Sequence, residues 1–100
     1  MTADFIKDGT KLTVKFNGRL DSATSSEFGK KIQPKQEEAT QIIFDCENLE
    51  YVSSAGLRII LATEKKMLEK KGELKLIHVN EHIMDIFEMT GFVNMLNIEA

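Results

Sequence analysis

Apolar and polar residues alternate near the start of the chain, and this pattern predicts β-strands. Leu12, Val14 and Phe16 are separated by threonine and lysine, as expected of a strand that buries one face. The turn-forming residues at 8–10 interrupt the alternation, so a further short strand is expected before them. We therefore expect the chain to begin with two strands around a turn.

Apolar residues at helical spacing follow the Asn-Gly turn at 17–18 and predict a first helix. Asp21 or Ser22 can cap this helix, because a short polar side chain accepts a hydrogen bond from an unpaired backbone N–H there. The helix should run to about residue 33, since Pro34 lacks the N–H that a helix needs. The residues expected to face the core are Ala23, Phe28 and Ile32.

Three consecutive apolar residues, Ile42, Ile43 and Phe44, lie in the segment 41–52. A strand in which neighbouring residues are buried is typically covered on both faces, or nearly so. Cys46 follows this run and is expected to be a small buried apolar residue. The segment therefore predicts a central strand rather than a one-sided edge strand.

Two more helices are predicted after this central strand. The second helix runs from the serine pair at 53–54 to Gly72, and the third runs from a cap at Asn80 to Gly91. The predicted apolar stripes are Leu57, Ile60, Leu61, Met67 and Leu68 on the second helix, and Ile83, Ile86 and Phe87 on the third.

A strand over residues 73–79 separates these two helices, with Leu74 and Leu76 on its buried face and His78 as a candidate for the same face. Residues 92–98 are predicted to hold a short last strand. The element order is then ββαβαβαβ. Strand–helix alternation from the central strand onward favours parallel pairing, so the expected fold is α/β, with a mixed sheet of about five strands and about three to four helices.

Composition narrows the class of protein. One hundred residues that are 42% hydrophobic suffice for one domain, residues 1–100, with a modest core. The formal net charge is −3 without any basic block, so nonspecific nucleic-acid binding is not expected. The chain has neither a signal peptide nor an apolar stretch of about 20 residues, which predicts a cytoplasmic protein without a membrane span.

Catalytic and metal-binding interpretations find little support in the residue spacing. The nucleophile elbow Gly-x-Ser-x-Gly would need glycine where Val52 precedes Ser54, so the pair Ser54 and His78 is not expected to be catalytic. His78 and His82 are four residues apart, but the Asn80 cap places only one of them inside a helix, so no metal site is expected from this pair. Nucleotide-binding glycine motifs are absent, and no cofactor is expected.

The serine pair itself has two interpretations. A purely structural one makes Ser53 or Ser54 a helix cap worth about 1 kcal/mol. Capping uses one hydroxyl, however, and does not explain Gly56 in the first turn, where glycine is less favourable than alanine by about 0.8–1 kcal/mol. In the second interpretation the small first turn lets another macromolecule approach. Ser54 is then exposed at the positive end of the helix dipole, which accommodates a phosphate group.

The segment "IIFDCENLEYVSSAGLRIIL" at 42–61 resembles the signature of STAS domains, in particular of small anti-sigma-factor antagonists. "FNGRLDSAT" at 16–24 is similar to the family's Gly-x-Leu-Asp segment. "GELKLIHVNEHIMDIFEMTGF" at 72–92 is similar to its strand followed by a helix that ends in a Thr/Ser-Gly turn. The resemblance covers nearly the whole chain, and it implies a single-domain STAS fold and a switch rather than an enzyme.

The resemblance also implies a phosphorylation site. In the family motif Asp-Ser-Ser/Thr-Gly-Leu the serine after the aspartate is the phosphoacceptor, and it matches Ser54. Ser53 replaces the aspartate, which removes a charge beside the acceptor and leaves Ser53 as an alternative acceptor. Ala55 replaces the second hydroxyl residue and removes a competing site. Gly56 and Leu57 match the end of the motif.

Partners follow from the same resemblance. The unphosphorylated antagonist binds an anti-sigma factor that is itself a serine kinase of the histidine-kinase-like ATPase fold, phosphorylation ends the interaction, and a PP2C-type phosphatase restores it. Two alternatives remain: a STAS subunit of another complex, such as a lipid-transport complex or a signalling scaffold, that is never phosphorylated, and a small hydrolase. The implied partner-binding residues are Asp21, Ser22, Ser53, Ser54, Gly56, Leu57 and Arg58.

Overall fold

The computed structural model describes residues 1–100 and contains four strands, three α-helices and a 3₁₀ helix. The predicted α/β fold is confirmed. None of the helices is long and apolar enough to cross a membrane. The strands are β1 (Thr2–Asp8), β2 (Lys11–Leu20), β3 (Gln41–Val52) and β4 (Glu73–Ile77); the helices are α1 (Ser22–Gln36), α2 (Ser54–Glu69) and α3 (Glu81–Thr90), with the 3₁₀ helix at Phe92–Asn94.

The four strands form one mixed sheet in the order β1-β2-β3-β4. β1 and β2 are antiparallel and form the predicted hairpin, whereas β2, β3 and β4 are parallel to one another. Parallel neighbours need a crossover connection, which α1 supplies between β2 and β3 and α2 between β3 and β4. The starts of α1 and α2 therefore lie at the same edge of the sheet, where β2 and β3 end.

The strand register aligns apolar side chains on the face that the helices cover. Phe28 of α1 packs against this face, with its ring centroid 5.0 Å from that of Phe16. Ile60 and Met67 of α2 are fully buried in the same core. Two buried rows cross the sheet from β2 to β4: Leu12, Ile42 and Leu74, then Val14, Phe44 and Leu76.

The opposite face of the sheet is more open than the sequence suggested. Thr13, Ile43 and Lys75 form a row on this face, and each is only partly buried. The consecutive apolar run of β3 therefore does not mean equal cover on both sides. Ile42 and Phe44 point toward the helices, whereas Ile43 points toward the open face.

The first helix differs from its prediction in one residue of its apolar stripe and in the position of its C-terminal end. Ala23 is exposed rather than in the core, and α1 passes through Pro34 to Gln36 instead of ending before the proline. The carbonyl groups at this helix end gain a partner from the residue that follows α2, because Lys70 Nζ donates to the backbone oxygens of Gln36 and Glu37 at 2.7 Å each. A side chain distant in sequence thus satisfies carbonyl groups at the extended end of α1.

The second and third helices begin and end close to their predicted bounds. α2 ends at Glu69, before Gly72, and Leu68 is 65% exposed instead of belonging to the buried stripe. Asn80 caps α3 as predicted, and its side-chain oxygen accepts a hydrogen bond from the backbone of Ile83 at 2.9 Å. Gly91 ends α3 with the left-handed backbone (φ 78°) that favours glycine.

The predicted last strand over residues 92–98 is wrong, so the sheet has four strands rather than about five. Only Ile98 forms a bridge, which is parallel to Leu76 of β4. The backbone of Leu76 exchanges two hydrogen bonds with the residues on either side of Ile98, at 2.9 and 2.8 Å. We call residues 97–99 the edge segment, because they lie along the outer edge of β4.

Candidate functional site

Ser53 lies where β3 passes into α2, and its hydrogen bonds hold this junction together. It has an extended backbone (φ −84°, ψ 175°) and is the N-cap of α2. Its Oγ accepts a hydrogen bond from the backbone N–H of Gly56 at 3.2 Å. Its own N–H donates to the carbonyl oxygen of Leu20 at 2.9 Å. Ser53 therefore joins the start of α2 to the end of β2.

Ser54 is the first residue of α2, and it is exposed. Its hydroxyl forms no hydrogen bond within the chain, because Ser53 already supplies the cap. The N-terminus of a helix carries partial positive charge from its unpaired N–H groups. The sequence left open which of the two serines caps the helix, and the structure leaves the hydroxyl of Ser54 accessible to another protein.

Gly56 and Leu57, which the family resemblance implied as partner-binding residues, are buried in this structure and present no side chain at its surface. A Cβ atom on Gly56 would lie 2.6 Å from the carbonyl oxygen of Leu20 and 3.0 Å from Cγ1 of Val52. Glycine is needed here because α2 approaches the ends of β2 and β3 closely. Leu57 is 5% exposed and belongs to the core. Both residues fix the position of Ser54.

Arg58 lies four residues after Ser54, which places the two side chains on the same face of α2. Arg58 is exposed and forms no ion pair within the chain. Its guanidinium group is therefore available to a partner or to an anionic group near the start of the helix.

The start of α1 lies beside the start of α2, because Ser53 is hydrogen-bonded to the residue that precedes Asp21. Asp21 caps α1, and its Oδ1 accepts a hydrogen bond from the backbone N–H of Thr24 at 3.1 Å. Hydrogen bonds from the backbone and side chain of Thr24 lower the pKa of Asp21. Ser22 is exposed. The structure thus brings Asp21, Ser22, Ser53 and Ser54 to one edge of the sheet.

A cation–π pair at this edge was not predicted from the sequence. The guanidinium carbon of Arg19 lies 4.4 Å from the ring centroid of Tyr51. The two residues are register partners on β2 and β3. Each precedes a capping residue, Asp21 or Ser53, by two positions, but only the register of the parallel strands shows that they meet.

The two residues of the hydrolase alternative do not meet. His78 is not on the buried face of β4: it follows the strand with a left-handed backbone (φ 55°) and is exposed. Its Nδ1 lies 2.9 Å from Oδ1 of Asp45, and this hydrogen bond raises the pKa of His78. No hydrogen bond joins Ser54 to a histidine, so the contact between nucleophile and base that this chemistry uses is missing.

Cys46 is fully buried, as predicted. Loss of hydration on burial, together with the negative charge of Asp45, raises the pKa of its thiol to about 12. The thiolate, which is the reactive form of cysteine, is therefore strongly disfavoured in the folded protein.

Comparison with known proteins gives consistent results for the whole chain. Residues 3–100 match the family model of the STAS domain. The anti-sigma-B factor antagonist of Staphylococcus aureus (strain NCTC 8325 / PS 47) is 30% identical to this chain over 86 residues, which cover 85% of the chain and 80% of that protein.

Solved structures share the fold at low sequence identity. The anti-sigma factor antagonist SpoIIAA in its unphosphorylated form has a TM-score of 0.79 at 17% identity, covering 99% of this chain and 87% of that chain. The Bacillus cell fate determinant SpoIIAA in its phosphorylated form also has a TM-score of 0.79, at 19% identity, covering 99% and 91%. An anti-sigma factor antagonist from Mycobacterium paratuberculosis has a TM-score of 0.86 at 18% identity, covering 98% and 84%. With the family model spanning nearly all of its residues, this chain belongs to the STAS domain family.

Proposed function

We propose that this chain is an anti-sigma-factor antagonist that acts in the cytoplasm, as one domain (residues 1–100), in a bacterial partner-switching pathway. Unphosphorylated, it binds an anti-sigma factor that is also a serine kinase of the histidine-kinase-like ATPase fold. Phosphorylation of Ser54 ends the interaction, and a PP2C-type phosphatase restores it. The chain acts as a regulator rather than an enzyme. Support comes from membership of the STAS family and from the names of the relatives, which are anti-sigma factor antagonists.

The observation that carries the proposal is the separation of roles between the two serines. The hydroxyl of Ser53 is occupied by its bond to the first turn of α2, whereas that of Ser54 is exposed and unbonded. A kinase has to reach and orient the acceptor hydroxyl. Ser54 can be modified without touching the cap of α2, whereas modification of Ser53 would place the phosphate on the oxygen that caps the helix.

Electrostatics explains how one phosphate can act as a switch. A phosphoserine carries about −1.5 to −2 charges at pH 7. At the start of α2 the helix dipole tolerates this charge, so the domain stays folded. At a docked surface, by contrast, the phosphate must lose its hydration or find a cation. Each 1.4 kcal/mol of that penalty weakens binding about tenfold.

The proposed contact surface consists of exposed and partly buried side chains around the starts of α1 and α2. Ser54 lies at its centre, and Arg58 lies one turn further along the same helix face. Asp21 and Ser22 lie at the neighbouring helix start. Gly56 and Leu57 support this surface from inside, and they enter the proposal only through their packing.

The two states of SpoIIAA support a switch without refolding. Its unphosphorylated and phosphorylated forms match this chain equally well over nearly its full length. We therefore propose that phosphorylation changes what the surface binds rather than how the chain is folded.

Transfer of labelled phosphate from ATP tests the proposed acceptor. The kinase is first recovered by its binding to immobilised, unphosphorylated chain. It is then incubated with the wild type, Ser54→Ala and Ser53→Ala. Ser26→Ala is the matched control, because Ser26 is an exposed serine of α1. We expect label on the wild type, Ser53→Ala and Ser26→Ala, and none on Ser54→Ala. Label that persists on Ser54→Ala but disappears from Ser53→Ala would make Ser53 the acceptor.

Partner affinity tests the switch itself. Ser54→Ala should bind the kinase like the wild type, whereas Ser54→Asp should bind more than about tenfold more weakly, which corresponds to 1.4 kcal/mol. If the chain takes up no phosphate and Ser54→Asp binds normally, the alternative of a STAS subunit that is never phosphorylated is favoured. An esterase activity that Ser54→Ala abolishes would instead support a hydrolase.

A further inference from the structure

Three side chains with metal-binding atoms meet near the end of β4. Nδ1 of His78 lies 2.9 Å from Oδ1 of Asp45 and 3.8 Å from Oε2 of Glu47. One nitrogen and two carboxylate oxygens therefore lie within 4.8 Å of one another. None of these residues belongs to the surface around Ser54, and the family resemblance gives none of them a role.

The fold brings the three residues together from two neighbouring strands. Asp45 and Glu47 are two positions apart on β3, and Asp45 Oδ1 accepts a hydrogen bond from the backbone N–H of Glu47 at 3.1 Å. Asp45 is the register partner of Ile77, the residue before His78. Only 11% of the Asp45 side chain is exposed. The carboxylate closest to the core is therefore held in place by the sheet, while Glu47 and His78 close the cluster from the solvent side.

We infer that Asp45, Glu47 and His78 bind a divalent transition-metal ion, for which Zn²⁺ is the appropriate probe. Imidazole nitrogen and carboxylate oxygen are both ligands of Zn²⁺, at about 2.0–2.2 Å. In a tetrahedral Zn²⁺ site, two ligand atoms at these bond lengths are about 3.3 Å apart. This separation lies between the distances from His78 Nδ1 to Asp45 Oδ1 (2.9 Å) and to Glu47 Oε2 (3.8 Å). Three protein ligands leave the fourth position of a tetrahedral ion to water or another group.

The net charge of the side chains around the cluster favours the binding of a cation. Asp45 and Glu47 carry two negative charges. Lys15 of β2, the register partner of Asp45, is the cation that faces the cluster from the neighbouring strand. The balance remains negative when His78 is neutral, which is the form that binds metal. The bound ion would tie β3 to the connection between β4 and α3, independently of any switch at Ser54.

The two histidines of the chain allow a matched test. His78→Asn removes the nitrogen ligand and keeps a residue that tolerates the left-handed backbone. His82→Asn is the control, because His82 is exposed on α3 and outside the cluster. Calorimetric titration of the metal-free chain with Zn²⁺ should show one ion per chain for the wild type and His82→Asn. In His78→Asn the affinity should fall by more than about tenfold, since even groups that only orient a metal ligand contribute about 10- to 100-fold.

A second variant and a second measurement guard against misfolding. Glu47→Gln alters an exposed side chain and should also weaken Zn²⁺ binding. Zn²⁺ should raise the thermal unfolding midpoint of the wild type and His82→Asn, but not of His78→Asn, because an ion that binds only the folded chain stabilises it. Wild type that binds no Zn²⁺, or equal loss of affinity in His78→Asn and His82→Asn, would overturn the inference and leave a histidine–aspartate ion pair only.

Discussion

Ser53 and Ser54 are adjacent residues of the same type, but they have different structural roles because their backbones differ. Ser53 is the last extended residue before α2, and its side chain folds back onto the helix. Ser54 is already helical, and its side chain projects from the surface. A sequence shows only that one of two serines can cap; the backbone at the end of β3 decides which one it is.

Replacement of each serine by alanine should separate the two roles. Ser53→Ala should lower the free energy of unfolding by about 1 kcal/mol, because the N–H of Gly56 loses its partner. Ser54→Ala, the matched control, should change it by less than about 0.5 kcal/mol, as expected for an exposed side chain without contacts. Urea denaturation followed by circular dichroism measures both. A larger loss in Ser54→Ala would show that Ser54 is the cap.

The thiol of Cys46 should be protected by folding. Its pKa of about 12 leaves almost no thiolate at mildly alkaline pH, and its burial excludes reagents. A disulfide reagent such as dithionitrobenzoate should label the folded protein far more slowly than the urea-unfolded protein. Cys46 is the only cysteine, so the absorbance change reports this residue alone. Equal rates in the two states would contradict the buried position.

At the scale of elements, the close contact between α2 and the strands depends on Gly56. Gly56→Ala should lower the free energy of unfolding by about 1–3 kcal/mol despite the higher helix propensity of alanine, because the new Cβ meets the backbone oxygen of Leu20. Gly29→Ala in α1 is the control, because a Cβ atom at that position would meet only the end of a side chain, Cδ1 of Ile59, at 3.1 Å. The free energy of unfolding of Gly29→Ala should stay unchanged or rise by up to about 1 kcal/mol.

Thermal or urea unfolding of these two variants distinguishes packing from propensity. If propensity governs α2, Gly56→Ala will be stabilised like Gly29→Ala. If packing governs it, the two variants will change in opposite directions, or only Gly56→Ala will change.

Local patterns predicted the elements well where the cause of structure is local. The alternation of Leu12, Val14 and Phe16 marks β2, and Asn80 and Gly91 frame α3. The turn expected at residues 17–18 is wrong, because β2 continues through them to Leu20 in parallel pairing with β3. Predictions failed where the cause is distant in sequence. The end of α1 past its proline is bonded by Lys70, which follows α2, and the glycine in α2 is explained by the end of β2.

The candidate site was predicted partly from residues and partly from family resemblance. The exposed hydroxyl at a helix start follows from the Ser-Ser-x-Gly spacing, but the choice of Ser54 as acceptor came from the resemblance. The inward position of Gly56 and Leu57 was missed, because burial depends on how α2 sits on the sheet. The contact of Arg19 with Tyr51 was missed because it requires the β2–β3 register.

At the scale of the whole molecule, the edge segment should protect the rim of β4. Ile98→Asp should release it, since a charge would replace a side chain that packs against the core. The amide hydrogen of Leu76, which donates to the backbone of residue 97, should then exchange faster with deuterium. The amide hydrogen of Val14, which lies inside the sheet, should stay protected. Nuclear magnetic resonance measures each amide, and unchanged protection at Leu76 would contradict this assignment.

The edge segment that covers β4 also bears on association between copies of the protein. An uncovered rim invites a strand from another copy, and repeated addition of this kind leads toward fibres. Here the edge segment already bonds to the outer side of β4. The opposite edge of the sheet is β1, which bears the charges of Asp4, Lys7 and Asp8. Sheets of different copies should therefore not add to one another along these edges, so little of the protein should be lost to fibres even when it is abundant.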